Sequence, residues 1–394
     1  MKHLEIRHFG PLRHVDIELE QVNLIIGLQG SGKSCVLRTA CFCSWVEKRI
    51  MLLQSAEYFE KENNCDNHLL EYYAMEKYVK PDTYIEYSTK YITFVFDNRK
   101  ETAKFTCTMN RNAWRYCRPK VSYITSDRNI VSLFHDYKDL SKVSPHLQEF
   151  MEEWDISRRD KETTENVLGL GVNYHFDKNS KKDLVRLRDG KEIELMETSS
   201  GMQSLLPLFV HTDYLTSGLF ANPLLNMQDL SLNKVEEIKH TFDIIYNRCL
   251  SKTEGVRGLS STFYLNSKQQ RYLFNTAKEK DKFDGYVERL LTNDHSEIFL
   301  EEPENNLFPP TQCQFINWIL SRVTDEKRQH FLFMTTHSPY VLSQVLKYRP
   351  SGFGLFLTHA TDDSGFDVTS FTDDAIDDVM FNGVDLFLNF EAYL

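Results

Sequence analysis

A chain of 394 residues is long enough to bury a large core without disulfide or metal staples. Its 41% hydrophobic, 26% charged and 13% aromatic content, with only 16 Gly and 11 Pro, excludes the disordered, collagenous and low-complexity classes. Lys and Arg total 46 against 57 Asp and Glu, a formal charge of −11, so nucleic acid would have to be met by a local basic patch.

The opening, Met1 to Gly10, is charged and has no apolar leader. No later stretch approaches the roughly 18 apolar residues of a membrane span, so no membrane partner and a cytoplasmic location are expected. The eight cysteines, at 35, 41, 43, 65, 107, 117, 249 and 313, include no C-x-x-C pair and read as reduced thiols.

Alternation in Leu4-Glu5-Ile6-Arg7 and in Val15-Asp16-Ile17-Glu18-Leu19, broken at Gly10-Pro11, predicts an antiparallel strand pair. Val22 to Ile26 is an unbroken apolar run, as a strand buried on both faces requires. After a glycine-rich break, helical spacing runs from Lys33 to Arg49. Residues 50–80 read as helical, and 84–87, 91–96 and 104–109 as strands of a meander. A buried strand at 121–125, a helix over 144–168 and strands at 173–176, 184–187 and 193–195 follow. Residues 200–216 form an apolar-rich helix, and 230–294 read as several helices. The end of the chain reads as strand 297–300, helix 309–323, strand 331–335, helix 338–348, strands 353–357 and 366–371, and an acidic amphipathic tail. Strands alternating with helices at both ends predict an α/β fold with a mixed central sheet assembled from distant segments.

Gly27-Leu28-Gln29-Gly30-Ser31-Gly32-Lys33-Ser34 fits G-x-x-x-x-G-K-[ST] and stands between a predicted strand and helix. In that setting backbone N–H groups and the helix start cradle phosphates, Lys33 neutralises the β and γ oxygens, and the Ser34 hydroxyl ligates Mg²⁺. The expected nucleotide-binding set is therefore Gly27, Gln29, Gly30, Ser31, Gly32, Lys33, Ser34 and Cys35, with ATP and Mg²⁺ as ligands. Ile298-Phe299-Leu300-Glu301-Glu302-Pro303-Glu304 is an apolar strand ending in carboxylates, the Walker B form. Glu301 is expected to hold Mg²⁺ and Glu302 to polarise the attacking water. His337, just beyond the apolar run Phe331 to Met334, suits a γ-phosphate sensor, because imidazole can donate to a phosphate oxygen or position water.

Lys33 and Glu301 lie 268 positions apart, far more than in a compact AAA+ or Ras-like core, so a large lobe intervenes. Leu4-Glu5-Ile6-Arg7-His8-Phe9-Gly10-Pro11, Glu301-Glu302-Pro303-Glu304-Asn305-Asn306-Leu307-Phe308-Pro309 and Thr335-Thr336-His337-Ser338-Pro339 resemble the ABC-type ATPase heads of the SMC, RecF and OLD-like AAA ATPase group. The resemblance spans nearly the whole chain. It implies an ABC-ATPase-like P-loop fold with an antiparallel β subdomain: residues 1–216 as the part from P-loop to signature, 217–294 as a helical insertion, and 295–394 as the part with Walker B, D-loop and switch histidine.

The same resemblance locates a signature at Thr198-Ser199-Ser200-Gly201-Met202-Gln203, whose Ser199, Ser200, Gly201 and Gln203 would meet the γ-phosphate held by a second subunit. A simple helix N-cap is the other reading of these serines. The D-loop falls at Asn305 to Phe308, and Arg128 is expected to contact phosphate, to relay nucleotide state, or to form a surface salt bridge. Two departures stand out: Gln29 replaces the family's usual Asn, and the signature lies about a hundred residues ahead of Walker B, which makes 217–294 an insertion suited to partner contact.

These readings predict an ATP hydrolase working as a homodimer or higher homo-oligomer with ATP sandwiched between subunits. Only 57 residues follow His337, too few for the TOPRIM nuclease of OLD-type relatives. The chain is therefore expected to regulate a separate effector, a nuclease or toxin, as similar ATPase components of bacterial anti-phage systems such as Septu, PARIS and retron-associated ATPases do. The alternative is a RecF/SMC-like ATP-dependent DNA-binding repair protein. Basic runs at Arg111 to Lys120, with Trp114 and Tyr116 interleaved, and at Lys178 to Lys191 are either contacts to DNA phosphates or solvated faces.

Overall fold

The chain opens on a hairpin, Lys2–Phe9 (β1) and Leu12–Leu19 (β2), with Leu4 opposite Ile17 and Ile6 opposite Val15. The computed structural model describes residues 2–60, 75, 77–100, 104–134, 143–160, 163–221, 232–250, 258–265, 268–361 and 365–382. Val22–Gly27 (β3) follows, buried at every residue, and leads through the glycine-rich loop into Lys33–Leu53 (α1). Val79–Ser88 (β4), Ile92–Asp97 (β5) and Phe105–Met109 (β6) are the predicted meander, and Pro119–Ile124 (β7) is the next buried strand.

Pro145–Asp160 (α2) is shorter than the helix expected over 144–168. Its continuation enters Thr163–Thr164 (β8), and Asn166 at φ 46° then turns the chain the other way. A small antiparallel sheet follows from β8, Asn173–Asp177 (β9), Lys182–Arg186 (β10) and Glu192–Glu194 (β11). Ser200–Asp213 (α3) carries the predicted signature at its start and runs into a π-turn at 214–218.

The region 217–294 is not purely helical. Between Leu232–Cys249 (α4) and Ala277–Leu291 (α5) it contains a β-hairpin, Leu259–Leu265 (β12) with Lys268–Phe274 (β13). Its core is aromatic: Phe283 of α5 meets Phe242 and Tyr246 of α4 and Phe263, Tyr272 and Phe274 of the hairpin at ring-centroid distances of 4.9–6.4 Å. Aromatic residues alternating along extended strands fill this core from one face of the hairpin, which consecutive helices would not need.

His295–Glu301 (β14), Pro309–Val323 (α6), Phe331–Thr335 (β15), Pro339–Tyr348 (α7), Phe353–Ala360 (β16), Phe366–Ser370 (β17) and Asp373–Asn382 (α8) complete the chain. Most of the strands join one 11-stranded mixed sheet, ordered β6-β5-β4-β1-β2-β17-β16-β3-β15-β14-β7. The antiparallel β region is thus continuous with the parallel core β16-β3-β15-β14-β7.

Pleating explains the unbroken apolar strands. Leu24, Ile298, Leu300, Leu332 and Met334 enter the core shared with α2, α3, α6 and α7, while Ile25, Phe299 and Phe333 enter the core beneath α1. Phe299 and Phe333 stack with centroids 4.4 Å apart, fixing the β14–β15 pair whose C-terminal ends carry the candidate chemistry. Among the described residues no helix is long and apolar enough to cross a membrane.

Candidate functional site

The site forms where β3, β14 and β15, all parallel, end side by side. After β3 the backbone must turn sharply, and Gly27, at φ 146°, does so where a Cβ would lie 2.0 Å from Thr358 Oγ1 of β16. Gly32 caps α1 in the left-handed conformation, and a Cβ there would meet Leu12 Cδ2 at 2.7 Å. A cavity of about 540 Å³ borders this wall, lined by Arg7, His8, Arg13, His14 and Lys80 beside Pro11 and Leu12. Ser31 is buried and bonds through Oγ to the Leu28 carbonyl at 2.7 Å and to Thr358 Oγ1. Gln29 is exposed at the loop tip, Gly30 has open space where its Cβ would be, and Ser34 is half-buried.

Lys33 is 5% exposed, and its Nζ donates to the carbonyls of Gly27 at 3.1 Å and Leu28 at 2.7 Å. Burial brings its ammonium down to about 8, against the opposing pull of Glu302 and Glu304. The buried cation is held on two carbonyls of a loop whose tip, Leu28 to Gly30, is exposed, with open space over Gly30, an arrangement suited to receiving a phosphate. Cys35 is buried and its thiol is pushed up to about 12 by burial, so it offers the loop its backbone and not a thiolate.

At the end of β14, Glu301 is 2% exposed. Its Oε2 accepts from Ser126 N at 3.3 Å, and Arg38 Nη2 of α1 stands 3.3 Å from its Oε1. Glu301 Oε1, faced by the Arg38 guanidinium, and Thr335 Oγ1, on its register partner in β15, are buried without a hydrogen-bond partner, and these two oxygens are the candidates to face a hydrated divalent cation. Glu302 takes φ 43°, a left-handed conformation rare outside glycine, and its amide donates to Thr335 O at 3.0 Å. The strained turn directs the side chain to the opening, where Glu302 Oε1 lies 3.5 Å from His337 Nε2. Hydrogen bonding to His337 holds the Glu302 carboxyl below the usual range, with the Lys33 and Arg128 charges adding to the effect.

Sequence reasoning missed three residues of this site. Glu304 accepts from His337 N at 2.6 Å and ties the histidine loop to the acidic turn, while burial raises its own carboxyl. Arg38 donates to Tyr123 Oη at 2.9 Å beside Glu301. Thr358 braces the P-loop from β16. Glu304 was within reach of pattern reading as the third acid of the Glu301-Glu302-Pro303-Glu304 run; Arg38 and Thr358 carry no local signal.

Arg128, expected to contact phosphate, to relay nucleotide state or to form a surface salt bridge, instead faces backbone carbonyls of the acidic turn. It is fully buried and donates to the carbonyls of Glu301 at 3.0 Å, Glu302 at 2.9 Å, Pro303 at 3.3 Å and Thr125 at 3.4 Å. It supports the acidic turn through the backbone, and burial lowers its guanidinium to about 10.

Around the signature, Ser199 is the N-cap of α3, accepting from Met202 N at 3.4 Å. Ser200 is exposed in the first turn, and Gln203 is tied back to the carbonyls of Met196 and Thr198 at 2.9 and 3.0 Å. A Cβ on Gly201 would lie 3.3 Å from Asn306 O, and Asn306 Nδ2 donates to Ser204 Oγ at 3.0 Å. The turn at Asn305 to Phe308 and the start of α3 are therefore in contact.

The two basic runs are exposed in part: Arg111 and Arg115 in the first, and Lys178, Lys181, Arg186, Arg188 and Lys191 in the second, face solvent. Arg118 and Lys120 are buried, Lys120 against Glu153 at 2.8 Å, while Lys182 and Arg186 pair with Glu194 and Glu192.

A glycine loop with its buried lysine, an acidic strand end and an adjoining histidine, on parallel strands of a mixed sheet, define a P-loop ATPase head. The chain belongs to the AAA_23 family, described as an AAA domain, whose model matches residues 3–307. No curated protein matches the sequence. Among solved structures, it is similar to the SMC head domain from Thermotoga maritima, with 11% identity, TM-score 0.43, and 94% of this chain on 98% of that one. The Pyrococcus furiosus Smc head domain bound to the C-terminal domain of ScpA matches at 11% identity and TM-score 0.29, covering 97% and 99%. The recombination mediator protein RecF-ATPrS of the RecFOR pathway matches at 12% and 0.31, covering 93% and 97%.

Proposed function

We propose that this chain is an ATP-hydrolysing switch in which two copies close head to head over ATP and reopen on hydrolysis. Lys33 and the amides of Gly30 to Cys35 bind the phosphates, and Gln29 flanks them. Ser34 and Glu301 are the residues to hold Mg²⁺, which when bound supplies charge neutralisation at the β and γ oxygens. Glu302 takes the proton of the attacking water, and His337 holds the γ-phosphate oxygen and orients that carboxylate. Arg128 and Glu304 are positioning residues.

Ser199, Ser200 and Gly201 of one copy meet the γ-phosphate of the other, with Gln203 shaping their turn. The observation that carries this reading is the exposed, N-capped start of α3 lying against Asn306, four residues beyond Glu302: an anion donor set beside the hydrolytic turn and open to a second molecule. The closed pair then governs a separate effector, a nuclease or toxin, in an anti-phage setting.

Light scattering of wild type and Glu302→Gln, each with and without ATP and Mg²⁺, tests the switch. The variant traps a doubled mass with ATP; a mass that stays monomeric throughout would remove the signature assignment. Association of an effector only with the trapped form tests the regulatory role.

A further inference from the structure

The face at the opposite end of the sheet from the P-loop carries a second surface. Strands β7 and β14 run in register from Pro119 and His295 to Ile124 and Leu300, so their N-terminal ends lie about 20 Å from the hydrolytic turn at roughly 3.3 Å per residue. There Trp114, half-buried in the turn before β7, packs on Tyr286 of α5 with centroids 5.5 Å apart. Arg248, from the last turn of α4, lies 4.6 Å from the Trp114 ring. Arg289 and Lys282 lie 4.9 and 6.0 Å from the Tyr286 ring, and Lys90 lies 4.8 Å from Tyr91 in the neighbouring β4–β5 turn.

All four cations are exposed, and among the described residues none of them makes an ion pair. On α5, Lys282, Tyr286 and Arg289 share one helical stripe, which begins at the buried capping Glu279, while Asp281, Asp284 and Glu288 follow another, where Asp284 pairs with Lys280. Asp294, just before β14, pairs with His295 at 2.9 Å and also feels the Lys90 charge. The lobe between signature and Walker B thus brings its cations onto the aromatic turn of the sheet.

We propose that this face binds single-stranded nucleic acid, with Arg248, Arg289, Lys282 and Lys90 on its phosphates and Trp114 and Tyr286 presenting ring and guanidinium planes to its bases. Cations alone would suit a duplex or an acidic peptide. Cations laid on half-exposed aromatic rings suit a strand whose bases are unstacked and free to stack on them. Because the face is remote from the P-loop, binding needs no ATP, and its failure is separable from failure of the ATPase reading.

The test is fluorescence anisotropy of a labelled oligo(dT) of about 20 nucleotides with the full-length chain, without nucleotide, at about 50 mM salt. Binding is expected to weaken with salt at a log–log slope of about −3, from about −0.7 per neutralised phosphate. Arg248→Glu/Arg289→Glu should weaken it at least tenfold and Trp114→Ala several-fold, with circular dichroism unchanged, whereas Lys191→Glu on the small sheet leaves it intact. Lys282→Glu, a single exposed change, repeats the charge test should the double variant fold poorly. No binding, equal binding of a duplex of the same length, or unchanged affinity in both charge-reversed variants overturns the proposal. Equal competition by poly-glutamate does too, and points to an acidic protein partner.

Discussion

His337 Nε2 stands 3.5 Å from Glu302 Oε1, and each side chain is 35% exposed at the mouth of the site. The contact joins the loop after β15 to the strained turn after β14, and Glu304 locks the same two segments together through the His337 amide. A carboxylate with a histidine on one side and a solvent opening on the other is placed to accept a proton from water.

Glu302→Gln should lower steady-state phosphate release at least about 100-fold while leaving ATP binding within a few-fold of wild type. His337→Ala should lower it less, about tenfold, and should also move the acid limb of the pH–rate profile. The sign follows from the depressed Glu302 carboxyl: it stays ionised below the ordinary glutamate range, so activity persists to lower pH in wild type. Without the imidazole the limb moves up. Phosphate release across pH 4–8 checks both, and an unmoved limb in His337→Ala would show that the pair is not the titrating unit.

Lys33, lowered to about 8, predicts that ATP binding takes up a proton. The free lysine is half neutral near pH 8 and fully charged once phosphates replace its carbonyl partners, so affinity should fall as pH rises above 8. Calorimetry in two buffers of different ionisation heat measures the uptake at pH 8.5. For the ligand-free fold the sign is opposite: a lysine depressed by burial costs stability below pH 8, and that cost is relieved as pH rises toward its unfolded value near 10.5.

Arg128→Met removes four hydrogen bonds to turn carbonyls and should destabilise the chain by about 3 kcal/mol. The urea midpoint measures that loss. Because Arg128 touches the backbone of Glu301 and Glu302 and not the loop of Lys33, kcat should fall further than ATP affinity.

Gly201→Asp places a carboxylate where Asn306 O already lies 3.3 Å from a Cβ, and puts negative charge at the start of α3. ATP binding, followed with a fluorescent analogue, should be retained. Phosphate release and the ATP-dependent mass shift of Glu302→Gln should both disappear, and a shift that survives would argue against the signature as a trans element.

The phosphate loop, the acidic strand end and the histidine could be read from the sequence because each is a contiguous pattern. Cradling a phosphate takes successive amides, with glycines where Gly27 and Gly32 leave no room for a Cβ, and a buried strand must be apolar at every position. The hairpin at Leu259 to Phe274 was missed because its alternation is short and interrupted, and what makes it a hairpin is an aromatic core shared with Phe242 and Phe283. Arg128 on Glu301, Arg38 beside Glu301, Thr358 on Ser31 and Arg248 on Trp114 join residues 134 to 327 positions apart. Such pairs have no periodicity to betray them. Local backbone geometry is written in neighbouring residues, whereas the environment of a charge depends on which distant segments the sheet brings to its side, and only the tertiary structure decides that.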